Sequence, residues 1–284
     1  SDEYSSLFDS MIYCLCGDGC LQEGVSAEAL SLAGHLKLGR LVLVYDDNEI
    51  TIDGSTNLSF SEDVRARFES YGWHTIVVEN GNDDVEALTA AIEAAKAKTD
   101  APSVVLVRTV IGFGAGDKAG TSGVHGSPLS DDELAALKTN FGLPADLKFH
   151  VPDDVAAAYA EVAARGNAAA AAWSTKLDAY CTAFPERGAE LKRRLAGELP
   201  DGWKDALPRY TPDDKAAATR SLSGTALNAL APLLPELIGG SADLSPSNKT
   251  ELKCSHNFAP ETPDGRYIRF GVREHAMAAI CNGI

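Results

Sequence analysis

The sequence predicts an α/β protein built on a parallel sheet covered on both faces. Three observations carry this expectation. Short apolar runs rich in β-branched residues recur along the first hundred residues, as fully buried strands require. Amphipathic stretches of about 10–15 residues separate them, long enough for crossover helices. Small and acidic residues gather where the runs end, the edge of an open sheet at which ligands bind.

Each element follows in order. Ile12–Cys16 is the first strand and breaks into the tight turn Gly17-Asp18-Gly19. Ala27–Leu38 is a helix with Ala29, Leu30, Ala33 and Leu36 near one face. Leu41–Tyr45 is the next strand, closed by Asp46-Asp47-Asn48. Ser61–Tyr71 reads as helix and Thr75–Val78 as strand. Asp84–Lys98 is a helix that turns Val85, Leu88, Ala91, Ile92 and Ala95 inward, and Val104–Val107 is a further strand. Right-handed crossovers are expected between the parallel strands.

Ile111–Pro128 breaks the pattern. Six glycines in 18 residues leave little propensity for helix or strand, and so long a loop in an α/β domain is an active-site element. Ser130 and Glu133 form a capping box for a helix over Asp131–Thr139. The alanine-rich Asp153–Leu195 reads as two or more helices on propensity alone. Pro200, Gly202 and Pro208 mark a boundary. After it, Thr211-Pro212-Asp213-Asp214 puts proline at the first position of a helix expected over Asp214–Leu230. Ile238–Asp243, a polar stretch to Gly265, the strand Tyr267–Phe270 and a helix from Glu274 read as a second α/β domain that has only begun. Neither end reads as a domain edge, so a longer protein is expected.

Composition narrows the function. Among 284 residues, 41 are acidic and 25 basic, a formal net charge of −16 with 45% apolar and 23% charged residues. This is ordinary globular composition for about two domains. It excludes a general nucleic-acid binder, which needs concentrated Lys and Arg, yet leaves room for a local cationic pocket that takes an anionic small substrate. The six cysteines form no disulfide framework, which fits a reducing compartment. Cys16, Cys20 and His35 make an incomplete zinc set without a fourth ligand. Cys14, Cys16 and Cys20 are expected to be buried packing rather than redox groups. No apolar run reaches the roughly 18 residues of a membrane span, and no signal-peptide pattern opens the sequence.

Four constellations carry chemistry. Asp18, flanked by glycines, and Asn48 both follow strands. With the backbone carbonyl of Ile50 they make a hard-oxygen shell for Mg²⁺ or Ca²⁺ beside a diphosphate; an ordinary turn and a cap are the alternative. His125 stands in the glycine-rich loop, where it contacts a substrate or is a surface histidine. Arg220 lies near a helix start, where a cation is disfavoured without an anion. Together with Ser247 it suits a sugar phosphate, and a salt bridge is the alternative. Arg273-Glu274-His275 follows a strand; Glu274 is either functional or a favourable helix charge.

The chain also resembles the transketolases, thiamine-diphosphate enzymes of the pentose phosphate pathway. The matching text is GDGCLQEGVSAEALSLAGHLKLGRLVLVYDDNEITIDGST at 17–56, ESYGWHTIVVENGN at 69–82, TVIGFGAG at 109–116 and GVHGSPL at 123–129. It continues through GELPDGW, LPRYT, ATRSLS, LIGGSADLSPSN at 237–248 and YIRFGVREHAMAAICNGI at 267–284. The resemblance covers nearly the whole sequence, and dihydroxyacetone synthases share these motifs.

The resemblance implies a thiamine-diphosphate-binding fold. Residues 1–145 would be the later part of the diphosphate-binding domain, 146–212 a helical linker, and 213–284 the start of a pyrimidine-binding domain. It implies Asp18, Asn48 and the Ile50 carbonyl as Mg²⁺ ligands, with Ca²⁺ able to substitute. Gly19 would contact the diphosphate, and Ile52 and Asp243 would lie near the thiazolium. Glu274 would hydrogen-bond N1′ of the aminopyrimidine, and Glu23 would join a network linking two active sites. His125 would lie near the reacting end of the substrate, and Arg220 with Ser247 would grip its terminal phosphate. Glu274 and His125 are thus the implied catalytic residues.

The implied reaction moves a two-carbon ketol unit from a ketose phosphate such as xylulose 5-phosphate to an aldose phosphate such as ribose 5-phosphate. The implied assembly is a homodimer with active sites at its interface, without nucleic acid or membrane, in the cytoplasm or a plastid. Dihydroxyacetone synthase and a truncated non-catalytic relative are the other readings. The family's parts outside these residues, including a third domain, complete the active enzyme.

Overall fold

The β-branched runs become strands because both of their faces can be buried, and helices of the intervening segments bury them. The computed structural model describes residues 7–284 and divides into two compact units, 8–172 and, with Leu7, 173–284. In the first, β1 (Ile12–Gly17) leads into α1 (Asp18–Gln22) and α2 (Gly24–His35). β2 (Leu41–Asp47) is followed by a small antiparallel ribbon, β3 (Ile50–Thr51) with β4 (Gly54–Ser55). Then come α3 (Val64–Ser70), β5 (His74–Val78), α4 (Val85–Ala97) and β6 (Ser103–Arg108). The four longer strands form one parallel sheet in the order β1-β2-β6-β5.

Alternation along β2 and β6 sorts the core. Leu43, Tyr45, Val104 and Leu106 pack with Leu21, Ala33, Phe68 and Trp73 on one face. Val42, Val105 and Val107 pack with Val78, Ala91 and Ala95 on the other. Phe68 meets Trp73 edge-on at 5.2 Å between ring centroids, and the Trp73 indole donates to the Leu30 carbonyl at 2.9 Å.

The structure corrects several boundaries. Gly17-Asp18-Gly19 is not a free turn: α1 begins at Asp18 directly after the strand. Leu32, Ala33 and Gly34 are the buried residues of α2, so its inward face lies beside the expected one. α3 starts at Val64 because Asp63 accepts from the Ala66 amide at 2.9 Å and caps it. Val85 is the first residue of α4 and stands 67% exposed, too early in the helix to reach the sheet.

After β6 the glycine-rich segment is indeed a loop, with single 3₁₀ turns at Gly116–Lys118 and Ser122–Val124. α5 (Asp131–Asn140) opens with the expected capping box. α6 (Asp153–Ala183) and α7 (Pro185–Leu195) are separated at Phe184, with Pro185 in the first turn of α7.

In the second unit the helix expected from Asp214 does not form there. The Asp214 carboxylate accepts from the Thr211 amide at 2.6 Å and its hydroxyl at 3.0 Å, closing a single turn that does not continue into a helix. α8 (Thr219–Leu230) starts five residues later. β7 (Gly239–Ser241) pairs in parallel with β8 (Tyr267–Arg269), and α9 (Ser245–Asn248) and α10 (Glu274–Gly283) follow the respective strands. β7 has no β-branched residue to announce it. Gly240 is required there because a Cβ would fall 2.0 Å from the Ile268 carbonyl oxygen. Among the described residues no helix is long and apolar enough to cross a membrane, and all six cysteines are free.

Candidate functional site

The parallel register places Gly17 opposite Asp46, so β1 and β2 end side by side and Asp18 faces the loop that follows β2. Asp18 is 3% exposed. Its Oδ1 accepts from the Tyr45 hydroxyl at 2.6 Å, and its Oδ2 from the Asn48 and Glu49 amides at 3.3 and 3.0 Å. Buried carboxylate oxygens need such donors in place of the water they give up. Burial, reinforced by Asp18, pushes the Tyr45 phenol up, so it is a neutral donor. Asn48 Oδ1 accepts from the Ile50 amide at 3.1 Å, and its Nδ2 donates to Asp46 at 3.2 Å.

One carboxylate, one amide oxygen and the Ile50 carbonyl are hard donors that suit Mg²⁺ or Ca²⁺. Gly19 is exposed and a Cβ there would meet nothing within 4 Å, so an anion has open access to its backbone. Ile52, 72% exposed in the turn between β3 and β4, offers an apolar surface. Glu23, exposed, precedes α2 without a side-chain capping bond.

Zinc finds no support. Among the described residues no group of three or more His, Cys, Asp and Glu could hold a metal. The packing expected of the three nearby cysteines holds only for Cys16, which lies against the core and whose thiol burial pushes up to about 12. Cys14 and Cys20 are exposed.

His125 is exposed and follows the second 3₁₀ turn, its amide donating to the Ser122 carbonyl at 3.0 Å. The loop around it is shaped rather than loose. The Gly120 amide reaches the Ile111 carbonyl at 2.8 Å, Asn140 Nδ2 donates to Gly114 at 3.2 Å, and Lys118 Nζ lies 2.9 Å from Glu133 Oε2. The Lys118 bond, with those from Ser130, brings the Glu133 carboxyl down to about 2.

The other unit carries the remaining residues. Arg220, second in α8, is exposed and makes no ion pair among the described residues. Asp243, with φ +59°, follows β7, and Ser247 lies on α9; both are exposed. Glu274 is the exposed first residue of α10, after β8. The turn bearing Ser247 is fixed from both ends. Ser245 Oγ accepts from Tyr267 at 2.7 Å and Arg269 at 2.8 Å, and Asn248 Nδ2 donates to Ser241 at 2.7 Å.

Comparison with known proteins decides the family. Residues 1–200 match the model for the transketolase thiamine diphosphate binding domain, and 215–284 that for the transketolase pyrimidine binding domain. The chain belongs to the transketolase family. It is 52% identical to the transketolase of Kluyveromyces lactis over 98% of this chain and 42% of that protein. It is 50% identical to a chloroplastic transketolase of Craterostigma plantagineum over 97% of this chain and 53% of the relative. A crystal structure of a mutant transketolase from Pichia stipitis with fructose 6-phosphate superposes with a TM-score of 0.95 at 51% identity, covering 97% of this chain and 41% of that one. The chain thus spans about half or less of the length of these transketolases.

Within this transketolase fold the structure brings Asp18, Asn48 and Ile50 to one strand edge and sets Asp243 and Glu274 after the paired strands of the other unit. Sequence reasoning missed Tyr45, read only as the last residue of a strand, and Arg108, which lies one residue past the strand expected over Val104–Val107. Both are polar groups at strand C-termini, and that position is the one signal that pointed to them.

Proposed function

We propose that the protein carrying this chain is a transketolase that transfers a two-carbon ketol unit from a ketose phosphate such as xylulose 5-phosphate to an aldose phosphate such as ribose 5-phosphate. The observation that carries the proposal is the buried, hydrogen-bonded Asp18 beside Asn48 at adjoining strand ends, in a chain about half identical to transketolases over nearly its whole length. In this reading residues up to about 145 hold the diphosphate, 146–212 link, and 213–284 open the pyrimidine-binding domain.

Asp18, Asn48 and the Ile50 carbonyl would hold Mg²⁺, with Ca²⁺ able to substitute, and through it the diphosphate. Gly19 would admit that diphosphate to the backbone, and Ile52 and Asp243 are each assigned a place near the thiazolium by the family resemblance. When bound, thiamine diphosphate supplies the electron sink for cleaving and forming the carbon–carbon bond beside the ketose carbonyl. Glu274 would hold a proton toward N1′ of the aminopyrimidine. His125 moves protons at the ketose oxygens as the loop excludes water. Arg220 and Ser247 hold the terminal phosphate of donor and acceptor alike, which governs KM more than kcat. Glu23 joins the two active sites of a homodimer at its interface. The compartment is the cytoplasm, or a plastid as the name of the Craterostigma relative suggests.

The test uses the complete gene product with thiamine diphosphate and Mg²⁺. Turnover of xylulose 5-phosphate with ribose 5-phosphate, and none with formaldehyde, supports the proposal. Preference for formaldehyde makes it a dihydroxyacetone synthase, and absence of cofactor binding makes it non-catalytic. Mixing Asp18→Ala with Glu274→Ala chains tests the shared site: one restored site per dimer is expected, and no recovery overturns it.

A further inference from the structure

We propose that Tyr45 and Arg108 are positioning residues for the metal–diphosphate site, closing a ring of polar contacts that fixes Asp18 and Asn48 before any ligand arrives. The inference rests on reading those two residues as metal ligands. Tyr45 is 2% exposed, and its hydroxyl lies 2.6 Å from Asp18 Oδ1 and 3.2 Å from Asp47 Oδ1. Arg108 ends β6, in register with Asp47 of β2. Its Nη2 is 3.1 Å from Asp47 Oδ2 and its Nη1 is 2.9 Å from Glu49 Oε1. The Glu49 amide returns to Asp18 Oδ2 at 3.0 Å. The circuit therefore runs from Asp18 through Tyr45, Asp47, Arg108 and Glu49 back to Asp18.

Two features make this circuit more than surface pairing. The guanidinium grips the residues immediately before and after Asn48, so the loop position of that ligand is set by one planar fork. Glu49 has φ +60°, a conformation uncommon outside glycine, and in it the Asn48 and Glu49 amides both donate to the same Asp18 oxygen. Strained backbone of this kind persists where its surroundings hold it, and the Arg108–Glu49 pair is such a hold. The carboxylate offers about four lone-pair sites. Tyr45 and the two amides occupy three, and the remaining one is free for a cation. A polar cavity of about 430 Å³ is lined by Asp18, Tyr45, Asp47, Glu49 and Arg108 together, so the members of the ring share one solvent-accessible recess.

The measurement is the Mg²⁺ concentration at half-maximal thiamine diphosphate binding, read by tryptophan fluorescence on the complete gene product, alongside the melting temperature of the apoprotein. Asp18→Asn serves as the benchmark. Tyr45→Phe and Arg108→Gln are expected to raise the Mg²⁺ midpoint roughly 10–100-fold, the usual cost of losing an outer-shell partner. Arg108→Lys, which keeps the charge without the fork, is expected not to restore it. The double variant should lose less than the product of the two single losses, because both open the same ring. Wild-type midpoints in Tyr45→Phe and Arg108→Gln, with Asp18→Asn impaired, overturn the positioning role alone, whether or not the melting temperature falls. A wild-type midpoint in Asp18→Asn as well overturns the metal-site reading beneath it.

Discussion

The strand ends that carry Asp18 and the strand ends that carry Asp243 and Glu274 solve different problems with similar topology. Around Asp18 the side chains themselves are bonded in place, buried and mutually satisfied. Around Ser247 it is the backbone turn that is held, through Ser245 and Asn248, while the side chains of Arg220, Ser247 and Glu274 stand exposed without side-chain partners among the described residues. A metal ligand must keep its geometry within a fraction of an ångström, which favours preorganisation. A group that meets a substrate arriving and leaving must stay open between visits. The difference matches the roles proposed for Asp18 as a metal ligand and for Arg220 and Ser247 as contacts to the substrate phosphate.

Variants at the two regions should therefore fail in different ways. Glu274→Gln is expected to lower kcat by roughly 10²–10⁴-fold, the range of a lost proton-transfer group, while Mg²⁺-dependent cofactor binding survives in a fluorescence titration. Loss of binding to match would make the regions alike. Asp18→Ala should show the opposite signature. Its Mg²⁺ midpoint should rise beyond the roughly 10–100-fold cost of an outer-shell change.

Arg220→Leu comes next. Loss of a charged hydrogen bond worth about 1.5–3 kcal/mol should raise KM for a phosphorylated ketose roughly 10–100-fold with little change in kcat. A donor lacking the terminal phosphate should be unaffected, and an equal loss with that donor would remove the phosphate role.

The smallest effect concerns the loop that shares a unit with Asp18 yet presents an exposed His125. Glu133 has its carboxyl lowered from 4.5 to about 2 by Lys118 and Ser130. A depressed carboxyl stabilises the folded form fully above its ordinary value, and that contribution is lost as pH falls through the lowered one. Protease sensitivity of the 111–128 loop should therefore rise between about pH 4.5 and 2. Glu133→Gln should remove that dependence, and an unchanged profile in the variant would free the loop from this clamp.

Much of this arrangement was legible in residue order. The runs at 12–16, 41–45, 75–78 and 104–107 are strands. The glycine-rich segment is a loop, and Ser130 with Glu133 forms the capping box expected of that spacing. One local reading went astray, and one element had no reading. The helix expected from Asp214 begins only at Thr219, and Asp214 closes a single turn on Thr211. β7, being Gly-Gly-Ser, has no side-chain signature and exists because Ile268 and its neighbours pair with it.

By itself, then, the sequence determined the alternation that buries Leu43 and Tyr45 on one face and Val42 on the other, the loop that bears His125, and the motifs that mark the family. Tertiary structure alone decided the company of Asp18. Tyr45 lies 27 residues on and Glu49 31 residues on, while Arg108 enters from a strand that pairs with β2 across a crossover. Propensity and periodicity are local quantities that say which face a side chain takes. Which polar groups meet at the strand ends depends on parallel register and strand order, and these are fixed only when the whole sheet packs.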